Sequence, residues 1–122
     1  MLIKTALSGM SKYKEALLEN SNASNPSLIS EYTHKLTAYI SSAEDYVTDL
    51  EYDMTINEAE LFKKYLSEGN SANASKELIK REFIKDRATI AKINRLVASG
   101  WKIVSESQSR VKHLIAEANN QI

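Results

Sequence analysis

Two histidines, His34 and His113, are the side chains of this sequence that normally change charge near neutral pH. His34 forms a Glu-x-x-His motif with Glu31, a pair that supplies metal ligands in di-iron four-helix bundles. A di-iron site needs a second such pair, but Arg110 occupies the position three residues before His113. The sequence also lacks cysteine, a glycine-rich phosphate loop and the common hydrolase signatures. We therefore expect no catalytic residue, no metal site, no cofactor and no enzymatic activity.

A row of basic residues is the candidate for binding a polyanion. On a continuous helix these side chains share the face opposite the apolar positions, and no acidic residue interrupts them. The row consists of Arg81, Lys85, Lys92, Arg95 and Lys102. Cations in such a row bind phosphates and release counterions, which makes nucleic acid a possible partner. The simpler interpretation is a solvated helix face, because Lys plus Arg and Asp plus Glu both total 16 and the formal net charge is zero.

Aromatic residues allow both a binding and a packing interpretation. Tyr32, Tyr39 and Tyr46 recur every seven residues, as in a surface on which single-stranded bases stack. Since they alternate with apolar residues at a second heptad position, the pattern favours tyrosines that pack across a helical hairpin. Trp101 follows Gly100 among apolar residues and is either buried or a binding hot spot.

Apolar periodicity predicts three helices, at 1–19, 26–68 and 71–119, with a polar linker at 20–25. Asn25 is a favourable N-cap before Pro26, and Gly69 ends the second helix. The sequence does not decide whether the long helices are also interrupted near Asp53 and at Gly100. The heptad positions of the second helix hold Ile29, Leu36, Ala43 and Leu50, and those of the third hold Phe83, Ile90, Val97, Val104, Val111 and Ala118.

These elements predict an all-α fold with one domain, 1–122. The two long helices form an antiparallel hairpin similar to a coiled coil, and the shorter N-terminal helix completes a three-helix bundle or an oligomeric bundle. The turn at 69–71 places residues opposite each other when their numbers sum to about 140. An acidic run at 44–60, which contains no base, then faces a mainly basic run at 76–95. Opposite charges of this kind help to fix the register of the hairpin.

The apolar surface is wider than two helices bury, which predicts a homo-oligomer, most simply with a two-fold axis. The N-terminal helix is too short to cover the part of the hairpin near Gly69. The candidate interface with another subunit or partner therefore contains Met54, Leu61, Phe62 and Leu66, together with Trp101 as a hot spot. No stretch approaches the roughly 20 apolar residues of a membrane span, and the N-terminus lacks the apolar core of a signal peptide. We expect a cytoplasmic protein with no membrane partner.

The tyrosine-rich helix, the turn Gly69-Asn70-Ser71 and the run Val104-Ser105-Glu106-Ser107-Gln108-Ser109-Arg110-Val111 resemble small helical accessory proteins encoded in bacteriophage genomes near replication and recombination genes. The resemblance covers roughly residues 30 to 118 and implies a phage or prophage setting, in the host cytoplasm. The expected function is a non-enzymatic interaction protein that binds a protein partner as a homo-oligomer, as a phage accessory protein or an inhibitor of a host factor. The alternative is an accessory protein that binds single-stranded DNA through the basic row.

Overall fold

The chain is helical, as the sequence predicts. The computed structural model describes residues 2–20 and 24–120, and in this part it contains four helices and no strand. They are α1 (Ile3–Glu19), α2 (Pro26–Ser67), α3 (Ala72–Glu82) and α4 (Ile84–Asn120). None of these helices has the length and apolar content needed to cross a membrane. The all-α prediction is confirmed, while residues 21–23 of the expected linker lie outside the described part.

The beginning of α2 follows the local signals in the sequence. The Asn25 side chain accepts hydrogen bonds from the backbone N–H groups of Ser27 and Leu28, at 3.1 and 3.3 Å, which confirms it as the N-cap. α2 then continues without interruption past Asp53. The hydroxyl of Thr55 donates to the Glu51 carbonyl, one turn back, and starts no new helix.

A Schellman turn ends α2 and reverses the chain. Gly69 has a φ of +92°, in the left-handed region that favours glycine. The Asn70 N–H donates to the Tyr65 carbonyl and the Gly69 N–H to the Leu66 carbonyl, both at 3.1 Å. The Ser71 hydroxyl then accepts from the N–H of Ala74 and caps α3. These backbone groups explain why the turn is short.

The third predicted helix, 71–119, corresponds to two helices in the structure, because the helix is interrupted at Phe83. There the backbone has φ −106° and ψ 13°, although neither Gly nor Pro is nearby. The Phe83 side chain is buried with Met54 and Ile79, and this packing offsets the cost of the interruption. Gly100, where the sequence allowed a break in the helix, lies inside the continuous helix α4.

The described residues form two compact units. The first contains the described residues 2–20, 24–44 and 95–120, with α1, the beginning of α2 and the C-terminal part of α4. Three helices therefore contribute to its interior. Its buried apolar residues are Ala6, Met10 and Leu17 of α1, Ile29, Leu36, Ile40 and Ala43 of α2, and Val97 and Val104 of α4.

The second unit comprises residues 45–94, with the end of α2, all of α3 and the beginning of α4. Met54, Ile79 and Phe83 form its buried cluster. The residues packed around this cluster are only partly buried: Leu50, Leu61, Phe62, Tyr65 and Ile90. α1 is not part of this unit, so the cluster lies among α2, α3 and α4 alone.

Candidate partner-binding site

A groove lies beside the buried cluster of the second unit, between α2 on one side and α3 and α4 on the other. It has two compartments, of about 450 and 430 Å³. Thr55, Glu58 and Arg87 line both compartments. The first compartment is also lined by Glu51, Met54, Ile90, Ala91 and Asn94, and the second by Ala59, Phe62, Lys76, Ile79 and Lys80. We call this feature the groove.

An ion pair between Glu58 and Arg87 crosses the groove and separates its compartments. Both side chains are partly exposed, so the pair stabilises the fold by about 0–1 kcal/mol. Below it, the groove presents apolar side chains that include Phe62 and Ile90, both half-buried.

The two walls of the groove carry opposite charges. On the α2 wall, Glu51 and Glu58 provide carboxylates, whereas Lys76 and Arg87 provide cations on the opposite wall. Amphipathic helices of partner proteins bind with their apolar face in a hydrophobic groove. The groove is therefore the candidate partner-binding site.

The structure places four of the five residues predicted for the interface in the second unit. Phe62 lines the groove, Leu61 packs half-buried against the cluster, and Leu66 is exposed. Met54, however, is only 5% exposed because Ile79 and Phe83 pack against it. Met54 thus belongs mainly to the interior of the second unit, although it also lines the first compartment of the groove.

Trp101 lies in the first unit, apart from the other four residues. Its side chain is 38% exposed, and the indole N–H donates to Glu44 Oε2 at 3.2 Å. The side chain is thus partly accessible and held by a polar contact. It contributes nothing to the groove.

All five residues of the basic row are exposed. Arg81, Lys85 and Lys92 belong to the second unit, and Arg95 and Lys102 to the first. The interruption at Phe83 separates Arg81 from the rest, so the continuous helix assumed from the sequence is absent at that point. Within residues 2–20 and 24–120, none of the five side chains forms an ion pair. None of them lines the groove.

The acidic and basic runs pair much less than the sequence suggests. In the described part of the chain, Glu58 and Arg87 form the one ion pair between the runs. Most of the other charges stay in solvent, because long exposed side chains gain little from pairing. Among the exposed acids are Asp45, Asp49, Asp53 and Glu60.

Two of the three tyrosines, Tyr32 and Tyr39, pack against Tyr13 of α1, whereas the sequence suggested packing across a hairpin. In the first unit, the Tyr13 ring lies 5.9 Å from Tyr32 and 5.9 Å from Tyr39, measured between ring centroids. Lys35 lies over the Tyr13 ring. A hydrogen bond from Lys35 to Glu31, followed by the charge of Tyr13, raises the pKa of Lys35. Sequence reasoning missed this cluster, although Tyr13 flanks the apolar stripe of α1.

The Glu-x-x-His motif contributes to no metal site in this part of the chain. Glu31 pairs with Lys35 at 3.2 Å, and His34 is exposed. Among the described residues, no group of three or more His, Asp or Glu side chains is placed to hold a metal ion. Comparisons with protein-family models, with curated proteins and with solved structures give no match for this chain.

Proposed function

We propose that this chain is a non-enzymatic interaction protein that binds a helix of a protein partner in the groove and acts as a homo-oligomer. The observation that carries the proposal is the groove itself, with Phe62 and Ile90 between walls of opposite charge. The proposal includes a long antiparallel hairpin formed by α2 with α3 and α4. Its support is one polar contact in each unit, Trp101 with Glu44 and Arg87 with Glu58.

The length of the groove limits the size of the bound element. Glu51 and Phe62 are eleven residues apart on α2, which corresponds to about 16 Å of helix. This length holds about three turns of a partner helix. The area that such a helix buries then falls in the range of transient complexes, below about 1,200 Å².

Two threonine substitutions test the groove. Thr55 lines both compartments, so Thr55→Arg places a long charged side chain in the groove. Thr89→Arg is the matched control: Thr89 is also exposed and also bonds to the carbonyl four residues before it, but it lies outside the groove. A partner captured by the wild type is then purified, and its dissociation constant is measured by calorimetry for all three chains. The proposal requires binding that the Thr55→Arg chain loses and the Thr89→Arg chain keeps. Equal affinity for all three chains contradicts it.

Binding of single-stranded DNA is the second candidate function, and it is favoured by the basic row, which is exposed and forms no ion pair within the described residues. The affinity should fall as the salt concentration rises. Each phosphate contact should add about −0.7 to the slope of the logarithm of the binding constant against the logarithm of the salt concentration. Replacement of Arg81, Lys85, Lys92, Arg95 and Lys102 by Glu should abolish binding at both of two salt concentrations. Unchanged DNA binding in that variant excludes the basic row as the site. The bacteriophage setting and the cytoplasmic location are proposals carried over from the sequence.

A further inference from the structure

The second unit carries two exposed charged surfaces outside the groove. The acidic stripe on α2 consists of Asp45, Asp49, Asp53 and Glu60. The basic surface on α3 and α4 consists of Arg81, Lys85 and Lys92. Within the described part of the chain, none of these seven side chains forms an ion pair, and none lines the groove. Each surface is therefore free to contact a partner.

Both surfaces contain large apolar side chains in solvent. Tyr52 is 67% exposed and Ile56 is 42% exposed on α2, between acidic residues. They follow Asp49 and precede Glu60 at intervals of three and four residues, which places all four on one face of the helix. On the other surface, Ile84 is 61% exposed beside Lys85. Apolar groups of this size within charged surroundings are typical of interfaces.

We propose that these two surfaces bind each other in a dimer of this chain, with the acidic stripe of each copy on the basic surface of the other. The inference rests on the homo-oligomer in the proposed function and names its contact. Four carboxylates face three cations, so the pairing is nearly balanced. A two-fold axis makes both contacts at once and keeps like charges apart. The zero formal net charge removes the general repulsion that opposes self-association.

A second copy fits these surfaces better than DNA does. A nucleic acid contacts the basic surface alone and leaves Tyr52 and Ile56 in solvent, next to carboxylates that repel phosphate. Only a partner that carries both charges covers both surfaces. A second copy of the chain supplies one acidic stripe and one basic surface, which is what a closed dimer needs.

A charge-exchange experiment tests the contact. The first variant, Asp49→Lys with Asp53→Lys and Glu60→Lys, makes the acidic stripe basic, and the second, Lys85→Glu with Lys92→Glu, makes the basic surface acidic. Each variant alone should dissociate, with a dimer dissociation constant raised on the order of tenfold or more. Mixed one to one, the two variants should form a heterodimer, because opposite charges again face each other. Light scattering at low salt measures the masses, and circular dichroism checks that these exposed substitutions leave the fold intact.

Control variants separate this inference from the proposed function. Lys112→Glu reverses an exposed charge of the first unit and should leave dimerisation unchanged. Thr55→Arg should also dimerise, because the groove is a different surface. The inference is overturned if the wild-type chain is a 13.7 kDa monomer at low salt, or if the mixed variants stay monomeric. DNA binding that is lost on Lys85→Glu with Lys92→Glu, in a monomeric protein, assigns the basic surface to nucleic acid instead. If Thr55→Arg loses partner binding while the charge variants remain dimeric, the proposed binding in the groove stands. The contact between the acidic stripe and the basic surface is then wrong.

Discussion

Gly9→Ala tests how α1 packs on α2. A Cβ atom at Gly9 would lie 2.5 to 2.6 Å from three ring atoms of Tyr39. Since carbon atoms in contact lie about 3.5–4.0 Å apart, the ring must shift by about 1 Å. Tyr13 stacks on the same ring, which restricts that shift. Overpacking of this kind costs about 1–3 kcal/mol, whereas Ala in place of Gly inside a helix gains about 1 kcal/mol. We expect the free energy of unfolding to fall by about 0–2 kcal/mol.

A double-mutant cycle separates the two effects. In the Tyr39→Ala background the obstacle is gone, and Gly9→Ala should stabilise the chain by about 1 kcal/mol. Urea denaturation followed by circular dichroism provides the four free energies. Ser8→Ala, at an exposed position of the same helix, is the control. If Gly9→Ala stabilises the chains with and without the Tyr39 ring equally, the close contact between Gly9 and Tyr39 does not exist.

Three further predictions concern stability. Phe83→Ala should lower the free energy of unfolding by about 3–5 kcal/mol, because it empties the cluster around Met54; a loss below 1 kcal/mol in urea denaturation argues against that burial. Asn25→Ala should cost about 1 kcal/mol by removing the N-cap of α2, while Ser27→Ala, beside it, should cost less by the same measurement. Burial lowers the pKa of Lys14, whose ammonium donates to the Leu96 carbonyl. In the pH range just below 10.5 the unfolded chain therefore binds more protons at this residue, so wild-type stability should rise with pH relative to Lys14→Met, and a constant difference between the two chains contradicts this.

Local signals made the helix limits predictable. Asn25 before Pro26 and Gly69 before Ser71 act through backbone hydrogen bonds to near neighbours, and these depend on few residues. The interruption at Phe83 has no such signal. It depends on the packing of Phe83 against Met54, which is 29 residues away in sequence. A pattern of neighbouring residues does not predict a contact over that distance.

The site was predictable only in part, because a pattern of charges does not determine which side chains pair. The sequence showed opposite runs on α2 and on α3 and α4, yet Glu58 and Arg87 alone pair between them in the described residues. The sequence also placed Met54 at an interface, since α1 is too short to cover it. The structure adds that Ile79 of α3 packs against Met54, a contact that the periodicity of the sequence does not give.

The absence of α1 from the second unit has a consequence for local unfolding. α3 has 11 residues, fewer than the roughly 12–15 that an isolated helix needs, so its amide protons are protected mainly by contact with α2. In hydrogen exchange we expect α3 to open as a subglobal unit, while α1 and the beginning of α2 remain closed. Exchange from α3 at the rate of global unfolding contradicts this. A helix bound in the groove contacts Ile79 and should slow that opening, so the protection of α3 also reports on whether the groove is occupied.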